Sequence, residues 1–244
     1  MKVLGIIPAR FASTRFPGKP LVEIQGRSMI QRVYEQALKA ESLTKVVVAT
    51  DDERIATEVS SFGGLFVMTD STHQSGTDRC AEVARHFPDH DIVINIQGDE
   101  PFINPKQIDL LVSCFEQKNV QLATLIKKIH TEEELFNNNI PKVVINSRHE
   151  AIYFSRHTIP YIRNAEKDQW LNSQQFYKHI GIYGYTTYSL QEITKLKPSA
   201  LEIAESLEQL RWIENGYAIQ TKVTDIETIA VDTPEDLKKI IFKP

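Results

Sequence analysis

The sequence predicts an α/β fold built on a mixed, mostly parallel sheet with helices on both faces, and three observations carry that prediction. Apolar runs of strand length alternate with segments of helical period over the first ~120 residues. KVVVAT at 45–50 is a continuous β-branched run of the kind that is covered on both faces. Beyond residue 120 the alternation gives way to strand-like stretches without regular crossover helices, so an antiparallel portion is set into the sheet at roughly 130–190.

Taken in order, KVLGII (2–7) reads as the first strand, ended by Pro8. MIQRVYEQALKA (29–40) places Met29, Val33, Ala37 and Ala40 at helical spacing. After KVVVAT, the stretch DDERIATEVSSFG opens with acids suited to a helix N-terminus and stops at Gly63 and Gly64. LFVMT (65–69) reads as a strand, TDRCAEVARHF (77–87) as a helix and DIVINIQGD (91–99) as a strand. PKQIDLLVSCFEQK (105–118) begins with proline at the first helical position. VQLATLIKKIH (120–130), KVVINSRHEAIYFSR (142–156) and YKHIGIYGYTT (177–187) read as strands, with a polar excursion from Asn164 to Gln175. SALEIAESLEQLRWIENG (199–216) reads as one long helix closed by Gly216, AIQTKV and TIAVDT as late strands, and PEDLKKIIF as a final helix. No repeat, low-complexity tract or linker divides the chain, which reads as one domain over residues 1–244.

The bulk numbers exclude several classes. The 244 residues are 41% hydrophobic and 25% charged, enough for a substantial core. A net charge of −4 argues against general nucleic-acid binding, which shows a basic excess. No apolar run approaches the ~18 residues of a membrane span, and the apolar start before Pro8 is too short for a signal segment. A soluble, cytoplasmic protein is expected. Cys80 and Cys114 have neither CxxC nor Cys/His ligand spacing and read as free thiols, and the histidines show no HxxxH or HxH pair for zinc.

Against that acidic background, residues 6–21, IIPARFASTRFPGKPL, concentrate Arg10, Arg15 and Lys19 just after the first strand. Ligands of open α/β sheets bind beyond the carboxyl ends of the strands. Cations, hydroxyls and backbone amides there suit a polyphosphate, although a solvated loop has the same composition. The stretch is not a P-loop, because Pro20 follows Gly18-Lys19 where that motif needs a hydroxyl. Asp99 in INIQGDEP and Asp232 in AVDTPEDL stand at strand ends. In the latter, Thr233, Pro234 and Asp236 account for a helix cap, and Asp232 is not needed for it. Two such acids can share one Mg²⁺ with phosphate oxygens. Other stretches are ambiguous by themselves. HQSGTDR (73–79) is a helix cap or a base and ribose contact, and Arg156 is a carboxylate clamp or a solvated arginine. Alternation puts His179 and Tyr183 on one strand face, and Glu208 and Gln209 suit a helix surface as well as a site.

Taken together, IIPARFASTRFPGKPL, VVVATDD, HQSGTDR, NIQGDEP, KVVI, YFSRHTIPY, HIGIYGY, LEQLRW and VDTPEDL resemble the 3-deoxy-manno-octulosonate cytidylyltransferase (CMP-Kdo synthetase) family over nearly the whole chain. The resemblance implies a Rossmann-like nucleotide-diphospho-sugar transferase fold and a cytosolic homodimer joined through the antiparallel insertion. It implies the reaction CTP + Kdo → CMP-Kdo + diphosphate in the supply of Kdo to lipopolysaccharide. Two Mg²⁺ ions are implied, one held by the protein and one mainly by the substrates. By the same resemblance Arg10, Arg15 and Lys19 hold the triphosphate, and Asp99 and Asp232 hold the metal. Ala9, His73, Gln74, Ser75, Gly76 and Arg79 surround the cytidine, and Gln97, Arg156, His179, Tyr183, Glu208 and Gln209 form the sugar-acid pocket. Pro141 and Trp212 depart from the family pattern, Pro141 with an expected shift in local strand pairing. The rival readings are the same reaction on an 8-amino sugar, a CMP-sialate synthetase, which the FSRHTIP and HIGIYGY stretches fit poorly, and a catalytically silent nucleotide-binding regulator.

Overall fold

A computed structural model describes residues 1–12, 16–227, 229–231 and 233–241, with the side chains of 239–241 left aside. Eleven strands and ten helices follow in the order β1 (Val3–Ala9), β2 (Glu23–Ile24), β3 (Arg27–Ser28), α1 (Met29–Ala37), β4 (Lys45–Thr50), α2 (Glu53–Ser61), β5 (Phe66–Met68), α3 (Gly76–Arg85), β6 (Ile92–Asn95), α4 (Pro105–Val112), β7 (Leu122–Lys128), α5 (Glu132–Phe136), β8 (Lys142–Ile145), β9 (Ala151–Ser155), α6 (Trp170–Ser173), β10 (Tyr177–Thr186), α7 (Thr187–Ile193), α8 (Ala200–Glu205), α9 (Gln209–Glu214), β11 (Ile219–Val223) and α10 (Pro234–Ile241). A nine-stranded sheet runs β11-β7-β10-β6-β1-β4-β5, with the β8/β9 hairpin attached to β10.

The pairs β1–β4, β1–β6, β4–β5 and β7–β11 are parallel, and β10 alone runs against both β6 and β7. The antiparallel portion predicted from the broken alternation is therefore β8, β9 and β10. Pro141 does not disturb its pairing, since the Pro141 carbonyl accepts a hydrogen bond from the His179 amide at 2.9 Å. A proline immediately before a strand gives up no ladder donor.

The period-2 alternation of the strands divides the core in two. Val3 and Ile7 of β1, with Val46 and Val48 of β4, pack against α1, α2 and α4. Leu4 and Ile6, with Val47 and Ala49, pack against α3, α7 and α9. Each fully buried Ile or Val side chain contributes about 1.5–3 kcal/mol relative to exposure. Cys80 and Cys114 are buried free thiols, one in each half.

Several sequence expectations are corrected. The first strand runs through Pro8 to Ala9. The Ile6 carbonyl accepts from the Ile96 amide, so the donor that Pro8 lacks faces the side where β6 has already ended. The single helix expected over 199–216 is two, α8 and α9, broken at Ser206 in the left-handed region (φ 51°). In TIAVDT, the described residues 229–231 form no strand, and Val231 is buried instead against Phe16, Ile24, Met29 and Leu237. The cap of the last helix is as expected, the Thr233 hydroxyl accepting from the Asp236 amide at 3.2 Å and Asp236 Oδ2 from the Thr233 amide at 3.1 Å.

Candidate active site

A cleft of about 440 Å³ opens beyond the carboxyl ends of β1 and β6, where the open-sheet rule puts a ligand. One wall is the basic loop. The chain leaves β1 at Ala9, Arg10 lines the cleft, and Lys19 follows from a short 3₁₀ turn, Lys19–Leu21. Gly18 closes the loop with its amide on the Phe11 carbonyl at 2.9 Å, in a left-handed conformation (φ 72°) that L side chains resist. The Arg54 guanidinium caps the Phe11 ring at 3.2 Å from its centroid. Arg15 lies outside the described residues.

Across the cleft, Asp99 follows β6 by way of Gly98, which packs so tightly on β1 that an added Cβ would stand 2.7 Å from the Pro8 carbonyl oxygen. Lys19 Nζ lies 2.7 Å from Asp99 Oδ2, both side chains partly buried. The Asp99 carbonyl accepts from the Val231 amide at 2.9 Å. Val231 and Phe16 share one small apolar cluster, so the basic loop, Asp99 and the chain at 229–231 are tied together. Asp232 itself lies outside the described residues.

The HQSGTDR stretch divides. Gly76 and Arg79 line the cleft. His73, Gln74 and Ser75 occupy the turn in front of α3, where His73 Nε2 pairs with Glu82 at 2.5 Å, Gln74 donates to the Thr72 carbonyl and Ser75 caps the helix. The wholly buried Arg79 guanidinium donates to Thr69 Oγ1 at 2.6 Å and to Asp51 Oδ2 at 2.7 Å. Asp51 is a functional candidate that sequence reasoning missed, although an acid directly after the KVVVAT strand is the same signal that marked Asp99.

A second chamber of about 180 Å³ shares Pro8, Gly76 and Gln97 with the cleft and adds Thr77, Asn95, Tyr183 and Glu208. Gln97 Nε2 donates to the Gly181 carbonyl at 2.8 Å, binding the end of β6 to a bulge in β10. Within that bulge the Thr124 hydroxyl meets His179 Nε2 at 3.0 Å and donates to the Ile182 carbonyl at 2.8 Å. Burial pushes the His179 imidazole down to about 3, so it is neutral at physiological pH, and burial pushes the Tyr183 phenol well up. Thr77 Oγ1 donates to Glu208 at 2.8 Å, yet burial outweighs this and lifts the Glu208 carboxyl above its ordinary range. Gln209 is buried beside it. The structure thus joins Gln97, Tyr183 and Glu208, with His179 packed on Tyr183, and adds Thr77 and Asn95.

Arg156 is the departure from the expected pocket. Its Nε donates to the Glu205 carbonyl at 2.6 Å and its Nη2 to the Ser206 carbonyl at 3.2 Å. Its backbone amide donates to the Glu205 carboxylate at 2.9 Å, which also accepts from Ser155 Oγ at 2.6 Å. These carbonyls are the orphans left by the end of α8. Arg156 therefore holds the turn at Ser206 that presents Glu208 to the chamber, and in this arrangement it does not line the chamber itself.

Chemically, the cleft offers cations beside a strand-end carboxylate, and the adjoining chamber offers neutral and weakly acidic hydrogen-bonding groups. The pairing suits a phosphate chain meeting a polyhydroxylated partner. The sequence matches the cytidylyltransferase family model over residues 4–229. A 3-deoxy-manno-octulosonate cytidylyltransferase of Parabacteroides distasonis is 55% identical, with 99% of this chain and 97% of that protein aligned. One from Cytophaga hutchinsonii is 57% identical, with 98% and 96% aligned. The solved structure of a CMP:2-keto-3-deoxy-manno-octonic acid synthetase complexed with CTP matches with a TM-score of 0.92 at 43% identity, over 99% of this chain and 97% of that one. A 4-diphosphocytidyl-2C-methyl-D-erythritol synthase of Anaerococcus prevotii, 12% identical with a TM-score of 0.61 over 98% of this chain and 94% of that one, shares the fold alone.

Proposed function

The chain belongs to the 3-deoxy-manno-octulosonate cytidylyltransferase family, and from that premise we propose how its two-part cleft divides the work of the reaction CTP + Kdo → CMP-Kdo + diphosphate. The observation that carries the assignment is that the basic cleft and the polar chamber share Pro8, Gly76 and Gln97, so a phosphate chain in one meets a sugar in the other.

In this reading the triphosphate of CTP lies along Arg10 and Lys19, with Arg15 as the third cation of the loop, and the cytidine lies against Ala9, Gly76 and Arg79. Asp51 and Thr69 keep the Arg79 guanidinium fixed, which spares the cost of ordering it on binding. Kdo occupies the chamber of Gln97, Tyr183 and Glu208. Its C2 hydroxyl attacks the α-phosphorus and gives up its proton to solvent, the bond to the α,β-bridging oxygen breaks, and diphosphate leaves toward the cations, which offset its charge. Tyr183 and the neutral His179 exclude water and shape the sugar face.

The residues present fit a magnesium ion: Asp99 offers hard carboxylate oxygen at the cleft, and its carbonyl holds Val231, the neighbour of Asp232. Asp99 and Asp232 would hold one ion, and a second would be held mainly by substrate oxygens. When bound, magnesium supplies charge neutralisation on the phosphates and lowers the pKa of a coordinated hydroxyl. The same reading extends to a homodimer through residues 130–190 and to a cytoplasmic role in supplying Kdo for lipopolysaccharide. Among the described residues no helix is long and apolar enough to cross a membrane.

The test is diphosphate release from CTP with Kdo, the 8-amino sugar acid and a sialic acid, each with and without magnesium. Release with Kdo and magnesium, and much less with the others, is expected. Preference for the amino sugar would reassign the substrate, and no release with any acid would leave a nucleotide-binding regulator.

A further inference from the structure

Asn95 is the member of the second chamber that strand chemistry does not account for. It ends β6, whose other residues are Ile92, Val93 and Ile94, and it pairs with Ile6 on one side and Tyr183 on the other. Residues directly opposite in an antiparallel pair project to the same face, so Asn95 and Tyr183 share the face covered by α3. A central sheet position of this kind is best filled by Val or Ile, and a buried amide is costly unless its polar atoms are used.

The amide is only partly used. Asn95 is 5% exposed, and its Oδ1 accepts no hydrogen bond among the described residues. Gln209 Nε2, on the neighbouring helix, likewise donates none among them. Asn95 nevertheless lines the chamber with Thr77, Tyr183 and Glu208, and of these Thr77 is already committed to the Glu208 carboxyl. The Tyr185 phenol lies against the Asn95 amide, and the Tyr183 hydroxyl of the same chamber also makes no hydrogen bond among the described residues. A buried acceptor and a buried hydroxyl that face one open chamber suit a ligand that brings its own donors and acceptors.

We propose that Asn95 is a sugar-positioning residue, its side-chain oxygen accepting a hydrogen bond from a Kdo hydroxyl in the chamber and thereby helping to set which sugar acid is taken. The assignment rests on the reading of the chamber as the sugar subsite. It goes beyond the sugar-pocket residues that the family resemblance marks, and it makes β6 a contributor to both halves of the cleft, through Asn95 on one side and the Gln97–Asp99 turn on the other.

The experiment is steady-state kinetics with Kdo and CTP varied separately, calorimetric binding of Kdo, and thermal melting, on the wild type and on Asn95→Val. Valine suits the strand, so Tm is expected to hold or rise. The KM for Kdo is expected to increase about tenfold or more while the KM for CTP stays within about twofold, as befits one lost hydrogen bond to one substrate. A Kdo KM within twofold of wild type, or equal increases in both KM values, overturns the proposal. So does a fall in Tm with both KM values unmoved, which is the mark of an amide bonded only to ordered water. Should Asn95→Val not fold, Asn95→Ser, which keeps a polar group but withdraws it from the chamber, must show the same split. Failure of the wild type to turn over Kdo defeats the parent reading, whereas normal wild-type turnover with an unmoved variant defeats this inference alone.

Discussion

His179 and Tyr183 are four residues apart on one strand, yet their ring centroids lie 5.1 Å from each other. A regular strand rises about 3.3 Å per residue and would hold those positions about 13 Å apart. The bulge between Ile180 and Tyr183 takes up the difference, with the Thr124 hydroxyl filling it and Gly181 turning its carbonyl to Gln97. Simple alternation identifies the shared face and misses the contact.

The neutral His179 makes stability depend on acidity in a defined window. Its folded pKa is about 3 against the ordinary 6.5, so between these values the unfolded chain binds the additional proton. The contribution of this group is fully present above pH 6.5 and is lost as pH falls toward 3. Tm of the wild type should fall through that range, and His179→Gln should flatten part of the fall. The His179 resonance should not titrate between pH 5 and 8 by NMR, and a midpoint near 6.5 would contradict the packing described.

Asp99→Asn removes charge from the one described acid that faces the basic loop across the cleft. Turnover should drop by at least about 10²–10³-fold, in the range seen when a preorganised electrostatic group is lost. Tm should move by only a few degrees, because the partly exposed pair with Lys19 contributes little to folding. Diphosphate release at saturating CTP and Kdo checks this, and a near-normal rate would remove Asp99 from the metal assignment.

Arg156→Met should act on architecture before chemistry. It leaves the carbonyls of Glu205 and Ser206 without their guanidinium, at a cost of about 1.5–3 kcal/mol for charged hydrogen bonds. Tm should fall, and the KM for Kdo should rise because Glu208 and Gln209 lose their support. A rise in KM with Tm unchanged would return Arg156 to the role of a direct carboxylate clamp.

Gly98→Ala tests the close approach of the Asp99 turn to β1. An added methyl stands 2.7 Å from the Pro8 carbonyl oxygen, backbone that cannot swing aside as a side chain would. The turn must shift, with an expected destabilisation of about 1–3 kcal/mol and a loss of turnover of tenfold or more. Unfolding and rate measurements on the same preparation check both.

Much of this was legible because period and strand ends are local signals. The β-branched run at 45–50 became a strand with the bounds expected, and the loop after the first strand and the turn after β6 bring Lys19 and Asp99 to one cleft. What failed depends on partners far away in sequence. The apolar period of Leu201, Ala204, Leu207 and Leu210 runs straight through Ser206, and no Gly or Pro marks the break that Arg156 supports from 50 residues away. Val231 reads as a strand residue but finds its apolar partners in Phe16 and Met29. Single polar residues next to or within apolar runs, Asp51 and Asn95, gain no role from the VVVATDD and NIQGDEP stretches that contain them, and only the packed structure shows what faces them. Arg15 and Asp232 lie outside the described residues.

The reversed direction of β10 has a consequence for how such an enzyme can diversify. The chamber takes Tyr183 from β10 and Glu208 from the start of α9 as well as Thr77 from α3 and Asn95 from β6, whereas Arg10 and Lys19 reach the cleft from the loop after β1. Strands of opposite polarity thus meet at the chamber along a single seam, Asn95 against Tyr183. On the function proposed above, a new sugar acid can be accommodated by rewriting that seam while the basic loop keeps its sequence, its turn and its charge.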